Sequence, residues 1–376
     1  MTSCGATYIT DGAAVLKHSI ALSSYPLNKD SKYAYKMVAF VHPQAVECSQ
    51  PLETLGYEVQ VRETPIDASK IKGDFLREKV VKTGASSSIY NLTTASVCLC
   101  SFANVLLHIS TGCCQEKEYL KLYAYTLTEF PVVVHLDLDS LILQPFDDLY
   151  DSMIDGDNGK LPIMYNSTAP TDIQAFYTKD YNMVHPGHAH PGMQGGFIVI
   201  KPNLDYFEEY RQTILEGDYR RGAGWGGKWG GYFGAQQIQG LCSYFFEALH
   251  PGSAVELNRC IYNSMNDNPR GPNRRKEPIT KICRDGQPTC EDCRTTPIEK
   301  IKSIHFTLCQ KPWVCPGYAI RGQCAEFHKK WFSIRRDWEE HNGRDKIDTS
   351  TINFHNDVFQ GYCPGQGERN YKKISF

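Results

Sequence analysis

No apolar run in this 376-residue chain reaches the ~20 residues that a membrane-spanning helix requires. An excess of one charge sign is missing too. Lys and Arg total 40 against 42 Asp and Glu, a formal net charge of -2, which removes the basic footprint of a nucleic-acid binder. The stretch from Met1 to Ser24 lacks the basic start and apolar block of a secretory signal. What is present is an ordinary mixture, 41% hydrophobic, long enough to bury one large core or two modest ones.

Cysteine is the exception to this scarcity. There are 15, and eight fall between Cys260 and Cys363. Disulfides formed in an oxidising lumen are the leading explanation. Cys290-x-x-Cys293 also allows half of a zinc site, although a second close Cys/His pair is lacking, and free thiols are the third option. Asn91-Leu-Thr and Asn166-Ser-Thr are glycosylation acceptor patterns that matter only in a secreted context.

Hydrophobic periodicity alternates strand with helix from the start. Ala6 to Thr10 reads as a strand, followed by helical spacing through Val15, Leu16, Ser19 and Ile20. Met37 to Val41 is a strand, Gln44 to Leu55 a helix and Tyr57 to Val61 another strand. The alternation predicts an α/β fold, a mostly parallel central sheet with helices on both faces and a ligand site at the carboxyl ends of the strands. Residues 85–111 break the pattern: they carry no charge, are too short in their apolar part to span a bilayer, and read as an anomalous insertion.

The run from Pro131 to Leu143 is a β-branched strand that arrives at Asp137 and Asp139. On an extended chain alternate residues share a face, so two carboxylates can aim at one hard divalent cation; two solvated acids at a strand end are the plain alternative. Downstream, Gly192 to Pro202 reads as a turn and a buried strand, and Asn203 to Leu215 as an amphipathic helix. His185, His188 and His190 share a loop, better read as solvated than as a second metal site. Residues 220–240 are dense in glycine, with Trp225, Trp229, Tyr232 and Phe233 suiting a mobile wall over a sugar, or a surface linker. A last helix is expected near Glu326 to Glu340.

Three blocks carry a resemblance. Lys121-Leu-Tyr-Ala-Tyr-Thr-Leu-Thr-Glu-Phe, His135-Leu-Asp-Leu-Asp-Ser-Leu-Ile-Leu and Asp147-Asp-Leu-Tyr-Asp are similar to the glycogenin-type retaining glycosyltransferases. The likeness implies a GT-A fold, a single Rossmann-like domain over residues 1–313, with 314–376 as a cysteine-containing extension packed on it. It implies manganese held by Asp137, Asp139 and His305 on the diphosphate of a UDP-sugar, with transfer of a hexose-type sugar to a glycan or protein hydroxyl. Thr10, Lys121, Leu138, Gln194, Gly195 and Gly196 would bind the donor, Gln239 would lie beside the anomeric carbon, and Lys311, from the closing His305-Phe and Lys311-Pro-Trp motif, would assist departure of UDP. The chain departs from the family at three places. Gln194-Gly195-Gly196 stands where the family has Asn-Ser-Gly or Asn-Ala-Gly, Ile238 replaces an acid, and Leu308 replaces a glycine.

These departures keep open a non-catalytic binder of sugar nucleotide or glycan, and the cysteines a zinc adaptor. Self-glucosylation is a narrower variant, with no acceptor singled out among 22 tyrosines. Related enzymes, the cysteine density and the two glycosylation patterns point to the Golgi lumen; no membrane anchor is visible in the chain, so either the anchor is missing from this sequence or the protein is cytosolic.

Overall fold

The computed structural model describes residues 9–85, 115–156, 170, 172–270, 283–314, 320–342, 371, 373 and 374. Nearly all of the 85–111 segment and both glycosylation patterns lie outside the described residues. So does the start of the strand expected at Ala6; Ile9 and Thr10 belong instead to helix α1, Ile9–Leu22. Ala13, Ala14, Val15 and Leu16 are all buried, each in a different core cluster, so this part of the helix is enclosed on every side, and the two alanines let neighbouring elements approach closely.

Strands β1, Val38–Val41, and β2, Glu58–Val61, pair in parallel from Val38 opposite Glu58 to Val41 opposite Val61. The single helix expected between them is broken into a 3-10 turn, Pro43–Cys48, and a short helix α2, Gln50–Thr54, each with proline in its first turn. Proline cannot continue a preceding helix, and Pro51 therefore ends one turn and opens the next. Helix α3, Asp74–Ala85, follows.

The helix expected at Glu118 is a 3-10 helix, Gln115–Thr126. At three residues per turn, every third side chain lies on one face. Tyr119, Leu122 and Tyr125 are accordingly all buried, and Glu118 and Lys121 share the neighbouring face. Strand β3, Val133–Leu136, then leads through a turn into β4, Ser140–Ile142, and helix α4, Asp147–Asp155.

The central sheet has the order β3-β6-β5-β9, with β5 at Ala175–Lys179, β6 at Met193–Ile200 and β9 at Ala254–Glu256. All eight residues of β6 are buried. Ile198 and Ile200 enter one core with Tyr119, Tyr210 and Phe245, while Phe197 and Val199 enter another with Leu16, Phe146 and Tyr262. Covering on both faces explains why this strand reads as continuously apolar. The sheet is mixed. Parallel pairing is met at β1/β2 and β5/β9, but β6 runs antiparallel to both β3 and β5. The chain returns from β5 to β6 through residues 180–192 without an α-helix, and such a return permits antiparallel neighbours where a parallel pair needs a crossover.

Helix α5, Leu204–Glu216, is capped by Asn203, whose side chain accepts from the N–H groups of Asp205 and Tyr206. The glycine-rich stretch is not a surface linker, since Trp225 and Tyr232 in it are buried. It folds as a small hairpin of β7, Tyr219–Arg220, and β8, Gly224–Trp225, ahead of helix α6, Ile238–Tyr244. Trp225 is fully buried with its indole N–H on the Ala235 carbonyl, and Trp229 donates to Glu247. Gly224 is required there, because φ is +99° and a Cβ would lie 2.1 Å from the Trp229 carbonyl oxygen.

Helix α7, Arg259–Tyr262, strand β10, Ser303–His305, and helix α8, Gln323–His341, complete the described elements. Phe327, Trp331 and Phe332 of α8 share a core with Val15, Leu141, Ile304, Phe306 and Trp313. Disulfides join Cys260 to Cys293, Cys283 to Cys290 and Cys309 to Cys324. The zinc half-site at Cys290-x-x-Cys293 is thereby ruled out, since each sulfur is bonded to a different cysteine. No described helix is long and apolar enough to cross a membrane.

Candidate metal and donor site

Asp137 and Asp139 do not sit at alternate positions of an extended strand. They flank the turn after β3, where the Asp137 N–H donates to the Gly196 carbonyl at 3.0 Å and the Ser140 N–H to the Asp137 carbonyl at 3.0 Å. The turn sends the chain into β4, which pairs antiparallel with β10 so that Ser140 faces His305. The Phe306 N–H donates to the Asp139 carbonyl at 2.9 Å and locks this register. Asp137, Asp139 and His305 thus offer ligand atoms all within 4.8 Å of one another.

His305 is 2% exposed, with Nε2 at 2.8 Å from the Thr307 hydroxyl and 3.5 Å from Asp139 Oδ1. Its Nδ1 is buried without a hydrogen-bond partner, as is Nε2 of His135, which stands 3.7 Å from Asp137. Gly196 closes the other side: a Cβ there would lie 2.4 Å from His305 Cε1 and 2.8 Å from Asp137 Oδ2. Two carboxylates, an imidazole and an unpartnered buried nitrogen fit a divalent cation of manganese type, which favours oxygen donors and tolerates one imidazole.

Two ammonium groups hold the acids in the structure. Lys121 lies 2.9 Å from Asp137, 3.7 Å from Glu118 and 2.9 Å from the Gly195 carbonyl. Lys311 pairs with Asp139 and donates to the Phe306 carbonyl at 3.2 Å. Burial raises the Asp137 carboxyl pKa, but Lys121, His135 and His305 outweigh it and hold it well below the usual range. Burial acts the same way on Asp139, which Lys311 and His305 hold low. Burial also pulls Lys121 down, and Asp137 with Glu118 more than restores it. Both acids are therefore ionised at neutral pH, as metal ligands must be.

The remaining expected residues gather around this centre to different degrees. Gln194 is buried within β6, and its Oε1 accepts from the Gly196 N–H at 2.6 Å, which ties that oxygen to the strand's own backbone. Gly195 lies against Gln239, since a Cβ on it would lie 3.6 Å from Gln239 Cγ. Thr10 is in the first turn of α1, two residues from Gly12, where a Cβ would meet the Leu138 carbonyl at 3.0 Å and the Trp313 ring at 3.1 Å. Helix α1 therefore backs the acidic turn directly. His185, His188 and His190 are absent from both metal-competent clusters among the described residues.

Two acids escaped the sequence reading. Glu118 is half-buried one 3-10 turn before Lys121, and desolvation raises its pKa. Asp180 is buried at the end of β5 and accepts from Gln239 Nε2 at 3.1 Å. Nothing in the sequence near Asp180 marks it, because only the fold brings β5 to α6. Burial, then the nearby Asp267 carboxylate, pushes its pKa up to about 6. A carboxyl whose folded pKa exceeds its unfolded value binds protons more tightly when folded, so it costs stability above about pH 6 and not below pH 4. Asp180→Asn is expected to raise stability by about 2–3 kcal/mol at pH 7.5 and to change little at pH 4. Urea melts at the two pH values check this, and an equal effect at both would contradict it.

No family model and no curated protein matches the chain. Among solved structures, the bifunctional glycosyltransferase WbbM shares 14% identity at a TM-score of 0.41, over 90% of this chain and 50% of that one. An active-site mutant of LgtC shares 11% identity at a TM-score of 0.40, over 89% and 93%. Mouse xyloside xylosyltransferase 1 shares 12% identity at a TM-score of 0.39, over 81% and 93%. At such values the reaction has to be inferred from the side chains themselves.

Proposed function

We propose that this chain is a manganese-dependent retaining glycosyltransferase that moves a hexose-type sugar from a UDP-sugar to a hydroxyl of a glycan or protein. The observation that carries this reading is the convergence of Asp137, Asp139 and His305, with Lys311 held at its edge, in a site closed by Gly196. A bound manganese ion would neutralise the diphosphate and polarise the bond to the leaving UDP. Lys311 would exchange Asp139 for the diphosphate as charge builds on the leaving group, the electrostatic contribution that usually dominates such transfers. Lys121 keeps Asp137 ionised and anchors the Gly195 carbonyl. Gln239, whose Nε2 is held by Asp180, would present its amide to the sugar while the acceptor hydroxyl attacks from the face that UDP leaves.

On the same reading the GT-A domain spans 1–313 and 314–376 is an extension packed on it, in agreement with the core that α8 shares with the site-bearing strands. The disulfides among the described residues support an oxidising compartment, for which we propose the Golgi lumen. A panel of UDP-sugars assayed for UDP release with manganese, then with a chelator, tests the proposal. Manganese-dependent release with at least one donor is the expected result. Binding of UDP with no release for any donor would favour a sugar-nucleotide binder, the alternative that Ile238 in place of an acid keeps open. Neither binding nor release would end both readings.

A further inference from the structure

We propose that His18, Asp337 and His341 form a second metal site, a zinc staple between α1 and α8, separate from the Asp137 centre. Asp337 and His341 are one helical turn apart on α8 and therefore share a face, which lies against α1. His18 meets them from α1, with its Nε2 at 2.6 Å from Asp337 Oδ2. His341 Nδ1 is 3.5 Å from Asp337 Oδ1 and 2.7 Å from the Asp337 carbonyl, and the two imidazole centroids are 5.8 Å apart. One ligand atom from each residue lies within 4.8 Å of the others, the same clustering that the Asp137 centre shows.

The donor sets of the two centres differ in kind. Two imidazole nitrogens with one carboxylate select zinc over manganese or magnesium, whereas two carboxylates with one imidazole suit manganese. Tetrahedral zinc with bonds of 2.0–2.1 Å keeps its donors about 3.3 Å apart, so the side chains must shift by about 1 Å. Their exposure permits this: His18 is 12% exposed, Asp337 39% and His341 66%. The open side admits water as the fourth ligand. Such a site has a structural use here. Helix α1 backs the acidic turn through Gly12, and a staple at His18 would fix the register of α8 on that helix.

The test uses the full chain with its disulfides intact, produced without a histidine tag, dialysed against a chelator and titrated with zinc alone. Zinc is expected to bind at the staple and to raise the melting temperature, with a further equivalent taken up at the Asp137 centre, whose carboxylates and imidazole also accept zinc. His18→Ala and His341→Ala should each weaken the staple equivalent on the order of 100-fold and abolish its thermal shift, while Asp139→Asn should remove only the equivalent at the other centre. His341 is largely exposed, so its variant folds whether or not zinc binds. No zinc uptake by the wild type, or uptake unchanged in His341→Ala and His18→Ala, would overturn the proposal. Loss of all zinc uptake in Asp139→Asn, with His18→Ala and His341→Ala unaffected, would assign the ion to the other centre and overturn it equally.

Discussion

Asp139→Asn is expected to lower manganese-dependent UDP release by a factor on the order of 100 to 1,000, with the protein still folded. The substitution keeps the shape of the side chain and removes its charge. Asp139 is buried, lies 3.5 Å from His305 Nε2 through Oδ1 and holds Lys311 through Oδ2. An amide would leave the metal with one ionised carboxylate and would release Lys311 from its place beside the diphosphate position. Two contributions to leaving-group stabilisation are lost together. Raising manganese should recover part of the rate, because weakened affinity is compensated by concentration and the displaced lysine is not. Release measured across a manganese series, with circular dichroism as the folding control, checks the result. An unchanged rate and metal dependence would refute the metal role of Asp139.

Arg335→Met is expected to destabilise the fold by about 3–5 kcal/mol, the cost of leaving a buried charge without its partner. Arg335 is 1% exposed and meets Asp11 at 3.3 Å, Glu339 at 3.0 Å and the Tyr371 hydroxyl at 2.5 Å. Asp11 also accepts from the Ile374 N–H at 3.1 Å. Burial raises the Asp11 pKa even with Arg335 beside it, so removing the guanidinium leaves the charged carboxylate with the Ile374 N–H and the Tyr371 hydroxyl as its main support. Adding Asp11→Asn to Arg335→Met should recover part of the loss, since the stranded charge is then removed as well. Urea denaturation of the single and double variants measures both. A loss below about 1 kcal/mol in the single variant would mean that water reaches the carboxylate. Asp11 lies beside Gly12, so this cluster also governs how α1 presents itself to the acidic turn.

Elements whose burial follows one simple period were legible. The β-branched runs at Val38 and Val133, the apolar run of β6 and the Asn203-capped helix all form where the pattern places them. Elements decided by packing were not. Ile9 and Thr10 look like strand but enter a helix, which carries Asp11 to Arg335. The spacing from Glu118 onward reads as α-helix, yet the chain adopts three residues per turn there, burying Tyr119, Leu122 and Tyr125 together. The glycines of residues 220–240 suggest a loose wall or linker, but Trp225 and Tyr232 between them are buried in the core.

The sequence by itself determined the chemical inventory of the site: two acids one residue apart, a histidine and a lysine in a closing motif, and glycines beside a buried strand. Tertiary structure decided that they meet. Lys311 and Asp139 are 172 residues apart, and only the antiparallel register of β4 on β10 brings that loop to the acidic turn. The same holds for Asp180 on Gln239 and for His18 across from Asp337. Periodicity reports which face of an element is buried, a property of neighbours along the chain. Which two buried faces pack together depends on shape and volume summed over the whole core, and no local pattern encodes that.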